Sequence, residues 1–431
     1  MKKLLIFLFL LIPQVVNCQE NTEKLARSFI GLLSEGGFAE ASQQFSDEVA
    51  AQVDAAKLEI IWKTINFQAG VFQQIENVTT GDKNGDFINT VSLCKFEKAY
   101  LNIQLTFNQK DEISGIFFKP ATSLVAANYQ IPEYANKDIY STEEMSLESP
   151  AGPLKAIYTK PNNVENPPVI VLVHGSGPND EDETLGPNKL FVDLATGLAS
   201  KGIATFRYVK RVKAYPGSFG DNSTVNDEVV IDAVNAIDKV TSLSDGYIFV
   251  LGHSLGGMML PQIVTMSKRA KGGIIFAGNS RPLEQLMIEQ VDYILDNNEA
   301  NGQEESYEMI KKAASKLRNR DFDENTPKSE LMNIGPVYWI DLLNYDQKKT
   351  AKKAKVPFFI MQGERDYQVT MKDFEGWKKA LGEKADYKSY PKLNHIFQEG
   401  EGVCLPSEYN KPGNVPEYVI DDIVNWVNSI R

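Results

Sequence analysis

Between Asn21 and about Leu58 apolar residues recur every three or four positions, as at Leu25, Phe29 and Leu32-Leu33, until Gly36-Gly37 interrupts them. That period places apolar side chains on one stripe of a helix, so the stretch predicts helices with a break at the glycine pair. From Val71 to Phe118 the period falls to two: Phe87, Val91 and Leu93 are followed by Leu101, Ile103, Leu105 and Phe107, with a turn at Gly81-Asp82-Lys83-Asn84-Gly85. Alternation half-buries a strand, and helices followed by a meander imply a small α+β domain ending near Pro120.

A different pattern begins after Glu133. Ile139–Leu147 and Leu154–Thr159 alternate on either side of Ser149-Pro150-Ala151-Gly152 and read as a hairpin. Val169–Val173 is apolar at every position, the mark of a strand covered on both faces. From there helices (Leu190–Ser200, Val225–Val240, Met258–Met266) alternate with strands (Ala204–Tyr208, Tyr247–Leu251, Gly273–Ala277). The alternation pauses over about 281–354, where Leu283–Leu295 and Tyr307–Leu317 have helical spacing and Val337-Tyr338-Trp339 forms an aromatic patch able to wall an acyl pocket. It resumes with Val356–Met361 as strand, Met371–Leu381 as helix, Tyr387–Tyr390 as strand and Pro416–Ile430 as closing helix. The fold class is therefore α/β: a mostly parallel sheet with helices on both faces and a helical cap inserted at its carboxyl edge, preceded by the small α+β domain. The limits expected are 19–120 for the first domain, 121–135 for a linker and 136–431 for the second.

The first residues stand outside this scheme. Lys2 and Lys3 precede the apolar run Leu4–Ile12, which Pro13 ends, as in a secretory signal. The run is shorter than the roughly 20 residues that span a bilayer, so no transmembrane segment is expected. Val15-Val16-Asn17-Cys18 resembles a lipid-attachment site but has Asn17 where a small residue is expected, while a cut after Cys18 leaves Val16 and Cys18 in the signal-peptidase pocket. The reading favoured is a signal over 1–18, cleavage before Gln19 and a secreted or periplasmic protein, with attachment at Cys18 as the alternative. Cys94 and Cys404 then remain, too few for a disulfide framework, and whether they pair stays open. Of 431 residues 42% are hydrophobic and 24% charged, which excludes wholesale disorder. Acidic residues outnumber Lys and Arg by 57 to 45, and a net charge of −12 repels phosphate backbones, so nucleic acid is not an expected partner.

Candidate chemistry centres on Gly252-His253-Ser254-Leu255-Gly256, between a buried strand and an apolar helix. The pentapeptide alone is a weak signal, and its strand–turn–helix frame makes it a strong one. A serine on so sharp a turn exposes its hydroxyl, and side chains two positions to either side would clash. The N–H of Leu255, opening the helix, is the first expected oxyanion donor. A serine hydroxyl needs an adjacent base, and the chain has three histidines. His253 lies inside the turn facing away from the reaction, His174 ends the first buried strand, and His395 follows the last strand, so His395 is the expected base. Asp366, in Gln362-Gly363-Glu364-Arg365-Asp366 after the strand Val356–Met361, is the expected carboxylate, with Glu364 as runner-up and Arg365 able to pair with either. The second oxyanion donor is expected in His174-Gly175-Ser176-Gly177-Pro178, from Ser176 first and Gly175 next. No Cys/His cluster has metal-ligand spacing and no glycine-rich phosphate loop is present, so neither metal nor cofactor is expected.

These motifs, Val169–Pro178, Gly252–Gly257, Gly363–Asp366 and Asn394-His395, resemble the α/β-hydrolase superfamily over roughly 133–431. Gln362–Val369 and Leu393–Phe397 are similar to secreted bacterial esterases that carry an N-terminal domain of unknown function, often labelled serine-aminopeptidase-like or dienelactone-hydrolase-like. The resemblance implies a serine hydrolase, foremost a carboxylesterase on small-molecule esters. A serine peptidase or aminopeptidase, an acyl transferase and a non-catalytic envelope binding protein stand as alternatives.

Overall fold

The computed structural model describes residues 14–81, 87–97, 99–120, 129–300 and 304–430. The expected signal up to residue 13, most of the turn at 81–85 and residues 121–128 of the expected linker lie outside the described residues. The chain divides into two units, 1–127 and 128–431. No helix of the described residues is long and apolar enough to cross a membrane.

In the first unit helices α1 (Gln14–Glu35), α2 (Phe38–Ser42), α3 (Asp47–Ala50) and α4 (Ala55–Ala69) precede strands β1 (Phe72–Thr80), β2 (Ile88–Phe96), β3 (Tyr100–Phe107) and β4 (Ile113–Pro120). The strands form an antiparallel sheet in chain order. Helix α4 runs past the expected end near Leu58, because Leu58, Trp62, Ile65 and Ala69 continue one buried stripe and the Asp54 carboxylate caps its start by accepting from Lys57 N at 2.8 Å. Alternate residues of β2, from Thr90 to Phe96, are buried, and the Phe96 ring packs on Trp62 and Phe72.

The second unit opens with the hairpin β5 (Tyr140–Leu147) and β6 (Leu154–Pro161), then β7 (Val169–Val173), the short pair β8 (Thr184–Leu185) and β9 (Asn188–Lys189), α5 (Leu190–Ser200), β10 (Ala204–Tyr208) and α6 (Arg211–Ala214). A single π-turn, Asn226–Val230, leads into α7 (Ile231–Val240), followed by β11 (Ile248–His253), α8 (Leu255–Ser267) and β12 (Ala270–Phe276). Among the described residues the insertion holds the α-helices α9 (Leu283–Asp296), α10 (Glu304–Asn319), α11 (Pro336–Asn344) and α12 (Gln347–Lys353), with a short 3-10 turn at Lys328–Glu330. β13 (Phe358–Gly363), α13 (Met371–Leu381), β14 (Ala385–Tyr390) and α14 (Glu417–Ser429) complete it. Residues 129–135, expected as linker, are tied to this unit: Tyr129 donates to Asp193 Oδ1 and Tyr134 to Val415 O, each at 2.6 Å.

The main sheet has the order β14-β13-β12-β11-β7-β10-β6-β5, parallel from β14 to β10 and antiparallel at the hairpin. Side chains of β7 point alternately to two cores: Val169, Val171 and Val173 pack with α7 and α8, Ile170 and Leu172 with α5 and α14. Chain order reverses at β7, with β10 on one side and β11 on the other. A crevice at the carboxyl ends of two such strands is where open α/β sheets place their sites.

The cap is fastened at its root. Arg281 donates to Asp373 at 2.7 Å and to Glu289 at 2.6 Å, and the fully buried Asp373 also accepts from Ser280 N and Arg281 N. Tyr338 and Trp339 do not stand free to wall a pocket. Both are buried in the core, Tyr338 donating to Glu228 at 2.6 Å and Trp339 Nε1 to Leu331 O at 3.1 Å.

Candidate active site

Ser254 caps α8 with φ 51° and ψ −116°, backbone that a residue with a Cβ adopts at a cost of about 1–3 kcal/mol. Its neighbours over-determine that geometry: Ser254 N donates to Phe276 O at 3.0 Å and Met258 N to Ser254 O at 2.9 Å. A Cβ on Gly252 would lie 2.3 Å from Gly256 O, and one on Gly256 would lie 2.4 Å from Val173 O. Strand, turn and helix are therefore too close for any side chain at either position. Leu255, the first residue of α8, has an amide with no acceptor inside its own helix.

His395 and Asp366 come together at the same edge. β13 delivers Asp366 and the loop after β14 delivers His395, with Nδ1 of the imidazole 2.7 Å from Asp366 Oδ2. Asp366 is buried and its other contacts hold it still: Gln362 Nε2 donates to Oδ2 at 2.9 Å, Gln368 N and Val369 N to Oδ1 at 2.8 and 2.9 Å. Glu364 is exposed and accepts from Ser389 Oγ at 2.8 Å, away from the imidazole. Arg365 pairs with neither candidate, since its guanidinium is bidentate to Glu408 at 2.6 and 2.8 Å. Asn394 builds the turn that presents His395, its side-chain oxygen accepting from Ile396 N and Gln398 N and its amide donating to Glu408.

The remaining histidines are buried and bonded to backbone carbonyls. Burial pushes the His174 pKa down to about 4, and its Nε2 donates to Asp180 O at 2.9 Å. His253 is also buried, which alone would lower its pKa, but the Glu183 carboxylate raises it above the ordinary value. Glu183 Oε1 lies 3.1 Å from His253 Nδ1, off the line of a hydrogen bond, and His253 Nε2 donates to His395 O at 3.0 Å.

In the turn after β7, two of three consecutive amides are already committed. Gly175 N donates to Glu183 Oε1 at 2.7 Å and Gly177 N to Glu228 Oε1 at 3.0 Å. Ser176 is exposed between them, and a Cβ on Gly175 would come 3.1 Å from Ser254 Cβ, so the turn abuts the serine. Of the two donors weighed in this turn, the Gly175 amide is thus occupied.

The chain has relatives among known proteins. The chain is 34% identical over 405 residues, 93% of both sequences, to Esterase EstD of Thermotoga maritima. It belongs to that esterase family. Residues 26–116 match the family described as "Protein of unknown function (DUF3887)". Solved structures similar to this esterase include Est1E from Butyrivibrio proteoclasticus (16% identity, 67% of this chain and 98% of that one, TM-score 0.46) and the hyperthermophilic esterase from the archeon Pyrobaculum calidifontis (17% identity, 69% and 87%, TM-score 0.43). The esterase is a carboxylic ester hydrolase of α/β-hydrolase fold.

Sequence reasoning missed the buried charges of this esterase. Lys210, two residues past β10, donates to Gly175 O at 2.6 Å and to Glu228 Oε1 at 2.5 Å, while Glu183 faces His253. The one available signal was position. Lys210 stands just beyond the carboxyl end of an apolar strand, and Glu228 ends the polar run Asn226-Asp227-Glu228 immediately before the apolar Val229–Ile231 that leads into α7.

Proposed function

We propose that the chain is a serine carboxylesterase for short-to-medium acyl esters, with Ser254 as nucleophile, His395 as general base and acid, and Asp366 as its orienting carboxylate. Ser254 Oγ attacks the ester carbonyl carbon as its proton passes to His395 Nε2. The carbonyl oxygen becomes an oxyanion held by the N–H groups of Leu255 and Ser176. Collapse of this intermediate breaks the bond to the alkoxy oxygen, which takes the proton back from His395 and leaves as alcohol. Water, deprotonated by His395, then hydrolyses the acyl-enzyme. Asp366 holds the imidazole in the tautomer with Nδ1–H and offsets its charge in both half-reactions.

The observation that carries the reading is the 2.7 Å contact between His395 Nδ1 and Asp366 Oδ2, at the sheet edge where the strained Ser254 stands. A fluorophosphonate inhibitor followed by peptide mass spectrometry tests it. The adduct is expected on Ser254 and absent from Ser254→Ala, which should lose turnover while keeping its fold. An adduct on Ser176 or Ser218 instead, or full activity in Ser254→Ala, overturns it.

A further inference from the structure

A trans peptide is planar, so its carbonyl oxygen and its N–H point in opposite directions. The carbonyl of Gly175 and the N–H of Ser176 belong to one such plane. Whatever grips Gly175 O therefore aims Ser176 N–H. That grip is the ammonium of Lys210, 2.6 Å from Gly175 O, with Asn179 Nδ2 a weaker second donor at 3.3 Å. A cation on the carbonyl also draws charge through the amide and makes its N–H a stronger donor.

Lys210 is itself fixed. Its side chain is only 3% exposed and it also donates to Glu228, on the π-turn before α7. π-turns recur at functional sites because the extra residue re-aims a side chain. Here Glu228 Oε1 accepts from Lys210 Nζ and Gly177 N, while Oε2 accepts from Tyr338 OH of cap helix α11 at 2.6 Å. On the other flank Glu183 takes Gly175 N. The amides either side of Ser176 are spoken for, and the plane that carries the Ser176 N–H is clamped from behind.

We propose that Lys210 and Glu228 are positioning residues of the oxyanion hole, and that Tyr338 links this clamp to the seating of the cap. The proposal rests on the role given to the Ser176 amide above. Such a clamp acts on the charge that develops in the transition state and leaves ground-state binding alone.

The test sets kcat and KM beside the affinity for a trifluoromethyl ketone, which forms the tetrahedral adduct on the serine. Lys210→Met and Glu228→Gln should lower kcat about tenfold to hundredfold, somewhat less than outright loss of a donor. KM should stay within about threefold, and ketone affinity should fall by the same factor as kcat. The control is the double variant Arg211→Met/Asp232→Asn, a buried pair bonded at 2.8 and 3.0 Å that makes no bond to the turn at 174–178, although Arg211 also pairs with Asp227 beside Glu228. It should lower the melting temperature without lowering ketone affinity. Tyr338→Phe removes only a hydroxyl, and a loss of about threefold to fivefold in kcat and ketone affinity is expected from one hydrogen bond. The clamp is overturned if Lys210→Met, or Tyr338→Phe where Lys210→Met does not fold, keeps wild-type kcat and ketone affinity, or if the control loses as much of both. Failure of the reading of Ser254 is a separate outcome, seen as ketone binding that survives Ser254→Ala.

Discussion

On the acid side of the proposed site Asp366 is surrounded by uncharged donors, two backbone amides and Gln362, besides the imidazole of His395. On the oxyanion side the turn at 174–178 is held by ions taken out of water: Lys210, Glu228 and Glu183, with His253 against Glu183. Hydrogen bonds from such uncharged donors to a carboxylate contribute about 1.5–3 kcal/mol each, and the donors themselves do not titrate. Breaking one member of a buried ion pair costs about 3–5 kcal/mol, because the survivor stays uncompensated. One side is therefore tuned by geometry and the other by charge balance, and each should fail in its own way.

The largest effect is expected on the acid side. Asp366→Asn keeps the carbonyl acceptor but favours the wrong imidazole tautomer, and kcat should fall about 10⁴-fold, as in the best-studied triad. Glu364→Gln should leave kcat unchanged, since Glu364 is exposed and bonded to Ser389. Steady-state kinetics with these ranks reversed would move the carboxylate role to Glu364 and remove one half of the contrast.

Acid should strain the oxyanion side first. His174, beside this turn, has its pKa depressed to about 4 by burial. The unfolded chain takes up this proton near the ordinary value of about 6.5 and the folded one does so only near 4, so stability falls between those values as pH is lowered, by roughly 3 kcal/mol. Glu183, which burial alone would raise, is held below its usual range by His253 and His174, so its contribution is present above about 4.5 and is lost as pH falls through its folded value. His253 runs the other way: its pKa is raised, so its contribution is full below about 6.5 and is lost as pH climbs through the folded value. Denaturant melts of His174→Gln across this range should show a shallower acid slope than the wild type. An unchanged slope would move the acid sensitivity to another group.

The smallest effect concerns the space between the two sides. Each added acyl methylene is worth about 0.8 kcal/mol, about fourfold in kcat/KM, while there is room for it. Cap helices α9 and α11 lean on the acid and oxyanion sides respectively, so a maximum at short-to-medium acyl length is expected across aryl esters. A steady rise to about sixteen carbons would describe an open groove, and rapid cleavage of peptide amides would favour the peptidase alternative.

Much of the candidate site could be proposed from sequence because its demands are local. A serine between glycines, framed by strand and helix, is a constraint written in five adjacent letters, and Asp366 and His395 each follow a strand of recognisable composition. The clamp has no such local signature. Lys210, Glu228 and Tyr338 are separated by 18 and 110 residues along the chain, and charges beside an apolar run, such as Lys210-Arg211 and Asp227-Glu228, read as a solvated face until topology brings a partner. Tyr338 illustrates the limit, its ring read as pocket wall while its hydroxyl is spent on a carboxylate. In the fold, the alternation of β and α segments gave Leu190–Ser200, Ala204–Tyr208 and Met371–Leu381 at their observed bounds. The π-turn at Asn226–Val230 escaped notice because its extra residue leaves the apolar spacing almost unaltered.

The cap touches the rest of its unit in the manner of a plate on bearings. One bearing is the Arg281–Asp373 root, a second is α9, where Gln290 donates to Gln368 O and Tyr293 stacks on Tyr367 at 4.9 Å, and a third is Tyr338 on Glu228. Further bonds, from Lys328 to Asp221 and from Tyr345 OH to Met258 O, seat the same plate, so it cannot tilt without breaking at least one of its contacts. Esters and their products would then pass through gaps between the bearings while the plate stays seated, and traffic would be limited by the width of those gaps. An enzyme of that build meets dissolved and emulsified esters in the same state, so its rate should show no upward step when a substrate passes its solubility limit.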